Sequence, residues 1–378
     1  MAFRNALDKN DKPLSFFGRV CVNTTKVAQS GCDILYRSRT DGTRNGEEMH
    51  KRKPRIDDVA KAAGVSFITA WRALNTPEVV RDATIERVKK AAEEIGYVAN
   101  AMARSLVSNR SGVIGVIVPT LEDSVYSDTV QGISDELVAS GLDLLVGLSN
   151  YDPIREEELV RAFLGRQIDG LIIPGPITNP KTRDLLTRNH IPVVETWDLP
   201  SDPLDMVVGF SNRAMAKAAT EFLIAKGRRH ILFLSPLDRP RAEQRRAGVI
   251  ETLAAHQLPH ADAAVHIGTT MDDGRHIMPT LMARDPRPDA LFFNGDSMAL
   301  GALTWCLEHQ VGIPDQLAII GLHDTPIARH IRPSLTSIRV PRYELGKRSA
   351  VALMARFDDP DFTTCQNIEF EIIERGTT

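Results

Sequence analysis

From Gly112 onward the chain repeats one pattern, a short and almost unbroken Val/Ile/Leu run followed by a stretch with helical spacing. GVIGVIVP, LDLLVGLS, DGLIIPGP, IPVVETW and VVGFSN make a first series; RHILFLSP, ADAAVHI, DALFFNGD and LAIIGLHD make a second. Runs that do not alternate apolar with polar residues fit strands buried on both faces, as in parallel sheets. Parallel strands need long crossovers, and SDTVQGISDELVAS has the period of one. Two series therefore predict two similar α/β lobes. Such sheets bind ligands beyond the carboxyl ends of their strands, so two facing lobes place a ligand in the cleft between them.

A different pattern precedes this body. Residues 56–96 have the spacing of three short helices. Asp57 is placed to cap the first, which presents Val59, Ala60 and Ala63. Gly64 can take the positive φ of a tight turn, and Ser66 caps the second helix. Asp82, after a loop containing Pro77, is placed to cap a third, whose Ile85, Val88, Ala92 and Ile95 share a face and which stops at Gly96. The first two form a helix-turn-helix. By period alone, Phe67, Ala70, Trp71 and Leu74 make an i, i+3, i+4, i+7 stripe that fits a buried face.

The domains expected are an extension over residues 1–50, the helical module over 51–96, a linker over 97–111 and the two-lobed body over 112–378. Residues 1–50 show no sustained period and are expected to be disordered, with Met49, just before HKRKPRI, as the expected true start. In the linker, with Asn100 as cap, Ala101 to Val107 span about two helical turns, too few to hold together unaided.

Charge separates the parts. Residues 51–110 carry twelve basic and seven acidic side chains, a net of +5, whereas residues 111–378 carry 26 basic and 36 acidic, a net of −10. A basic module ahead of an acidic body is expected where the first meets a polyanion and the second does not. Cys21, Cys32, Cys306 and Cys365 are scattered without CxxC pairing, and there is no HExxH, so no metal site or cofactor is expected. His323, Asp324 and His330 are too loosely placed to make one. GxGxxG after a strand, GxxxxGK[ST] and GxSxG are all absent, which argues against an enzyme. No apolar run reaches the ~18 residues of a membrane span and no export signal stands out, so the expected location is the cytoplasm.

VAKAAGVS, the run from Thr84 to Tyr97, NAMARSL and the two-lobed body together resemble the lactose/galactose repressor (LacI-type) family. VYSDTVQGI, IDGLIIPG and GLHDTPIARHIRPSLTSI resemble its gluconate-utilisation repressors. The resemblance covers residues 55–378. It implies a homodimer that binds a palindromic double-stranded DNA operator through paired helical modules, under control of a sugar or sugar acid held in the cleft. In the family register, Ser66, Phe67, Ile68, Thr69, Trp71, Arg72 and Asn75 face DNA, with Phe67 and Ile68 at base-reading positions. Val59, Ala63, Val65, Ala70, Ala73 and Leu74 are then buried, the reverse of the stripe reading for Phe67 and Trp71. Asn100, Ala103, Arg104 and Leu106 match a linker helix whose leucine pries open a base step.

Three departures bear on the operator. Trp71 stands where the family has a small hydroxyl residue, Ala99 replaces a proline, and neither Phe67 nor Ile68 can hydrogen-bond. Apolar side chains facing outward read thymine methyl groups; the alternative is a degraded reader that binds DNA without specificity. In the cleft, Arg245 matches the family's ligand-clamping arginine and Asp296 an aspartate that accepts sugar hydroxyls, with Asp198 and Tyr126 as further effector contacts and Trp197 assigned to the core. An interlobe salt bridge is the structural alternative for Arg245, and a core position for Tyr126. A transport-type binding protein shares the two-lobed fold but would need an export signal and no basic module. No heptad tail follows Phe370, which favours a dimer over a tetramer.

Overall fold

The computed structural model describes residues 52–98, 110–121 and 125–378. The expected disorder of residues 1–50 and the linker residues Asn100, Ala103, Arg104 and Leu106 lie outside the described residues.

Three helices open the described chain: α1 (Ile56–Ala62), α2 (Phe67–Asn75) and α3 (Asp82–Ile95). Val59, Ala63, Ala70, Ala73, Ile85, Val88 and Ala92 close a small core, with Val65, Leu74 and Ile95 packed at its margin. Gly64 takes φ 64° in the turn, and Gly96 takes φ 69° at the end of α3. Ser66 caps α2 by accepting from the Thr69 amide at 3.2 Å. The other two expected caps are corrected. Helix α1 begins one residue before Asp57, with Arg55 as the capping position, and it is Asp58 that accepts from the Arg55 amide at 2.9 Å. Asp82 is likewise the first residue of α3, after Arg81. In both helices the carboxylates sit inside the first turn, where they still face the positive end of the helix dipole.

All the strands expected in the body are present. The first lobe holds β1 (Val113–Val118), β2 (Asp143–Leu148), β3 (Gly170–Pro174), β4 (Val193–Thr196) and β5 (Met206–Gly209). The second holds β6 (Ile231–Ser235), β7 (Ala264–His266), β8 (Ala290–Phe293) and β9 (Ala318–Leu322). Three short strands were not anticipated: β10 (Thr336–Arg339), β11 (Cys365–Asn367) and β12 (Glu371–Ile373). The sheets run β11-β5-β4-β3-β1-β2 and β12-β10-β9-β8-β6-β7. Every pairing is parallel except β10 with β12.

The helices used below are α4 (Ser127–Ala139), α5 (Pro153–Leu164), α6 (Pro180–Arg188), α7 (Asn212–Ala225), α8 (Pro240–Ala255), α9 (Met271–His276), α10 (Met278–Met282), α11 (Asp296–Glu308) and α12 (Arg342–Asp358). The chain passes between lobes three times. After β5 it enters α7, which packs on α8; after β10 it enters α12, which packs on α4 and on β3, β4 and β5; after β11 it returns as β12. Each lobe is thus completed by later chain, which keeps the two close at one edge. Arg342 sits at the second crossing. Its guanidinium donates to Asp128 of α4, with Nε at 3.0 Å, and to the backbone carbonyl of His323, which follows β9.

Candidate functional site

Two places collect chemistry. On α2, Phe67 is 48% and Ile68 60% exposed, and Arg72 is exposed as well. The helix enters the core through Ala70 and Ala73, with Leu74 packed at its margin. Trp71 is half-buried and stands outside the small core. Thr69 Oγ1 pairs with Ser66 Oγ at 2.8 Å, and the Asn75 amide donates to the Trp71 carbonyl at 2.9 Å. The capping and back-bonding of these polar groups leave the apolar pair as the most prominent feature of the helix surface.

The second place is a cleft of about 810 Å³ between the lobes, within the range of small-molecule sites. It is built from the segments that follow β1, β2, β3 and β4 in one lobe and β6, β7, β8 and β9 in the other. All of these are carboxyl ends, as the topology dictates.

Arg245, on α8, is buried and lines the cleft. Its Nε donates to Asn212 Oδ1 at 2.8 Å, and its Nη1 donates to Asn294 Oδ1. Among the described residues, no carboxylate is hydrogen-bonded to it and no salt bridge holds it. Two amides fix its plane, and the charge of Asp198 acts on it from behind Asn212. Burial and the neighbouring Arg241 push its pKa down to about 10.

Asp198 does not line the cleft. Its Oδ1 accepts from the Leu199 amide at 2.9 Å and from the Asn212 side chain at 2.9 Å. Asn212 thereby links it to Arg245. Asp296 lines the cleft at the start of α11, but Thr325 donates through its amide (2.6 Å) and hydroxyl (2.9 Å), and Ser337 Oγ donates at 2.6 Å. These bonds tie the loop after β9 to α11. Burial raises the pKa of Asp296 to about 6. Tyr126 is buried with its ring in the cleft, and its hydroxyl accepts from Arg241 of the opposite lobe.

Several residues that the sequence did not assign to the cleft line it, Trp197, assigned to the core, among them. Arg239 lies over the Tyr151 ring with 3.5 Å to the centroid, and Arg241 lies near the rings of Tyr126 and Trp197. Arg241 and Arg245 are four apart on one helix, a spacing that brings two side chains to one face and was legible in RPRAEQRR. Trp197 is only 1% exposed, yet its ring lines the cleft as well as packing against Phe210. His323 lines the cleft too, and burial together with Arg245, Arg342 and Arg241 holds its pKa well below the ordinary value, so it is neutral. Glu156 of α5 lines the first-lobe wall; burial, then the charge of Glu195, raises its pKa to about 7.

Comparison with known proteins places both sites in one family. Residues 55–100 match the family model described as bacterial regulatory proteins, lacI family, and residues 220–378 match a periplasmic binding protein-like domain. The HTH-type transcriptional regulator IdnR of Escherichia coli (strain K12) is 32% identical over 320 residues, 83% of this chain and 95% of that protein. The HTH-type transcriptional regulator GntR of Pseudomonas aeruginosa is 33% identical over 329 residues, 86% of this chain and 96% of its own length. A crystal structure of a transcriptional regulator of the same family from Silicibacter pomeroyi superposes with a TM-score of 0.80 at 31% identity, covering 86% of this chain and 99% of the other. These relatives are regulators, not enzymes. The chain belongs to the lacI family of bacterial regulatory proteins.

Proposed function

We propose that this regulator is a cytoplasmic homodimeric repressor whose hold on a palindromic operator is set by a small sugar acid bound between its lobes. The observation that carries the choice of ligand is the pair of neighbouring arginines, Arg241 and Arg245, on one wall of the cleft. Arg239 joins them there, no carboxylate among the described residues is hydrogen-bonded to Arg245, and of the lining acids Glu156, Asp238 and Asp296 the last is engaged with Thr325 and Ser337. An anion entering this space relieves the mutual repulsion of Arg241 and Arg245; a neutral sugar does not. The hydroxyls of a polyol chain are met by the polar rim, and Tyr126 and Trp197 offer ring faces.

Calorimetric titration with D-gluconate, D-glucose and inorganic phosphate tests this. Gluconate is expected to bind at least tenfold more tightly than either; equal affinity for glucose would defeat the sugar-acid reading. The affinity is also expected to fall as pH rises through about 7, because Glu156 then places a negative charge in the wall facing an anionic ligand. In Glu156→Gln the slope should flatten, and an unchanged slope would remove Glu156 from the account. The stability sign follows from the same raised pKa: the contribution of Glu156 is fully present below its ordinary value and is lost as pH rises through about 7.

On the DNA side, exposed Phe67 and Ile68 pack on thymine methyl groups while Arg72 and the basic lead Arg52, Lys53 and Arg55 hold phosphates. Asn100, Ala103, Arg104 and Leu106 form the linker that wedges the minor groove, and effector binding alters the distance between the two copies of it. Selection from a random duplex pool is expected to enrich a palindrome with A/T under these side chains, a preference that relaxes in Phe67→Ala. Recovery of salt-sensitive binding without any enriched sequence would favour the degraded reader.

A further inference from the structure

Among the described residues, few buried polar side-chain atoms lack a hydrogen-bond partner, and two of these are Trp197 Nε1 and His323 Nδ1. Their rings come from opposite lobes, both line the cleft, and they meet edge-on with centroids 5.7 Å apart and planes at 72°. Each is more than nine-tenths buried. Each also has left-handed backbone, φ 70° at Trp197 and φ 99° at His323, a conformation that side chains other than glycine adopt at a cost and keep where the surroundings impose it. Two unpaired nitrogens and two strained backbones at one spot are unfavourable for folding. Their coincidence in a ligand cleft indicates a function that offsets the cost.

We propose that Trp197 and His323 form a hydroxyl-reading subsite on the cleft floor, taking one hydroxyl of the sugar acid between them. The indole Nε1–H donates to the hydroxyl oxygen, and the hydroxyl proton is donated to His323 Nδ1. Indole is a donor only, and the neutral imidazole keeps one nitrogen as an acceptor, the other carrying the proton. A hydroxyl satisfies both at once; a carboxylate has no proton to give. The acid end of the ligand is therefore directed to Arg241 and Arg245, and the polyol end to the ring pair. Both nitrogens are covered in the present arrangement, so the imidazole turns to admit the hydroxyl. The inference rests on the sugar-acid reading for the identity of the anionic end, but not for the hydroxyl itself.

The test is a set of dissociation constants for the full-length protein, Trp197→Phe, His323→Asn and His323→Leu. The probes are D-gluconate, its monodeoxy analogues, D-glucose and the monodeoxy glucoses, with thermal unfolding measured for every variant. Trp197→Phe keeps a ring but loses the donor, and should weaken gluconate about tenfold. One deoxy analogue should be weakened equally in the wild type and show no further loss in Trp197→Phe. His323→Asn, which retains an acceptor near Nδ1, should bind better than His323→Leu. A loss of the same size for every analogue, or no loss at all, would overturn the subsite. If glucose binds in place of gluconate and shows the same coupling to one hydroxyl, the subsite stands and the sugar-acid reading fails. Binding of neither series would overturn both.

Discussion

Arg245→Ala is expected to raise the dissociation constant for a sugar acid more than a hundredfold. Two losses combine. The ligand loses a buried guanidinium, and Asn212 and Asn294 lose the donor their carbonyl oxygens accept from. Truncating one partner of a buried, hydrogen-bonded charge interaction costs about 2–5 kcal/mol, and about 2.8 kcal/mol already corresponds to a hundredfold. Arg245→Lys should recover little, because a single ammonium cannot span two amides and a carboxylate in one plane. Asn212→Ala is expected to move affinity in the same direction by a smaller factor, since it frees the arginine plane and leaves Asp198 with the Leu199 amide alone while keeping the charge. Calorimetric titration of the three variants checks the order. Binding by Arg245→Ala within threefold of wild type would mean that the anion is held elsewhere, with Arg239 and Arg241 as the remaining cations of the cleft.

The second large effect is on stability. Gly346→Ala is expected to destabilise the first lobe by about 3 kcal/mol, the upper end for overpacking a close contact. Helices α4 and α12 approach so closely that a Cβ at Gly346 would overlap the Thr129 carbonyl oxygen, and one at Gly132 would overlap that of Tyr343. Neither obstacle is a flexible side-chain end, so relief requires the helices to separate. Because α12 also covers β3, β4 and β5, that separation would open the core above the first sheet. Tm should fall by roughly 5–10 °C, and a thermal scan that matches wild type would show that the helix pair is looser than its packing indicates.

Much of the fold was legible because it depends on local period. Uninterrupted Val/Ile/Leu runs can only be strands buried on both faces or buried helix segments, and their length and spacing decide for strands. The missed strands show the limit. TSIR in β10, CQN in β11 and EII in β12 have no apolar run to announce them; they are strands because remote neighbours offer them a ladder, β9 and β12 to β10, β5 to β11. The misplaced caps at Asp57 and Asp82 are of another kind. An acidic residue in the first turn and one at the cap look alike in sequence, and only the backbone of Arg55 and Arg81 separates them.

The reading helix was ambiguous for a physical reason. Phe67, Ala70, Trp71 and Leu74 fit a buried stripe by period, because a helix with apolar residues on two sides has no single amphipathic phase. The structure separates the sides: Ala70 and Ala73 enter the small core, Phe67 and Ile68 stay outside, and Trp71 is half-buried beyond it.

In the cleft, the family resemblance named Tyr126, Asp198, Arg245 and Asp296, and the apolar runs placed Tyr126 and Asp198 just beyond the first and fourth strands. Their hydrogen-bond partners come from tertiary contacts. The tertiary structure turned Asp198 onto Asn212, set Asp296 to hold Thr325 and Ser337, and brought Arg241, Trp197 and His323 from separate segments into one space. Backbone periodicity is a short-range property written in neighbouring residues. The direction of a buried polar side chain is set by whichever donor or acceptor folding brings within about 3 Å of it, and those partners lie tens to hundreds of residues away in the chain.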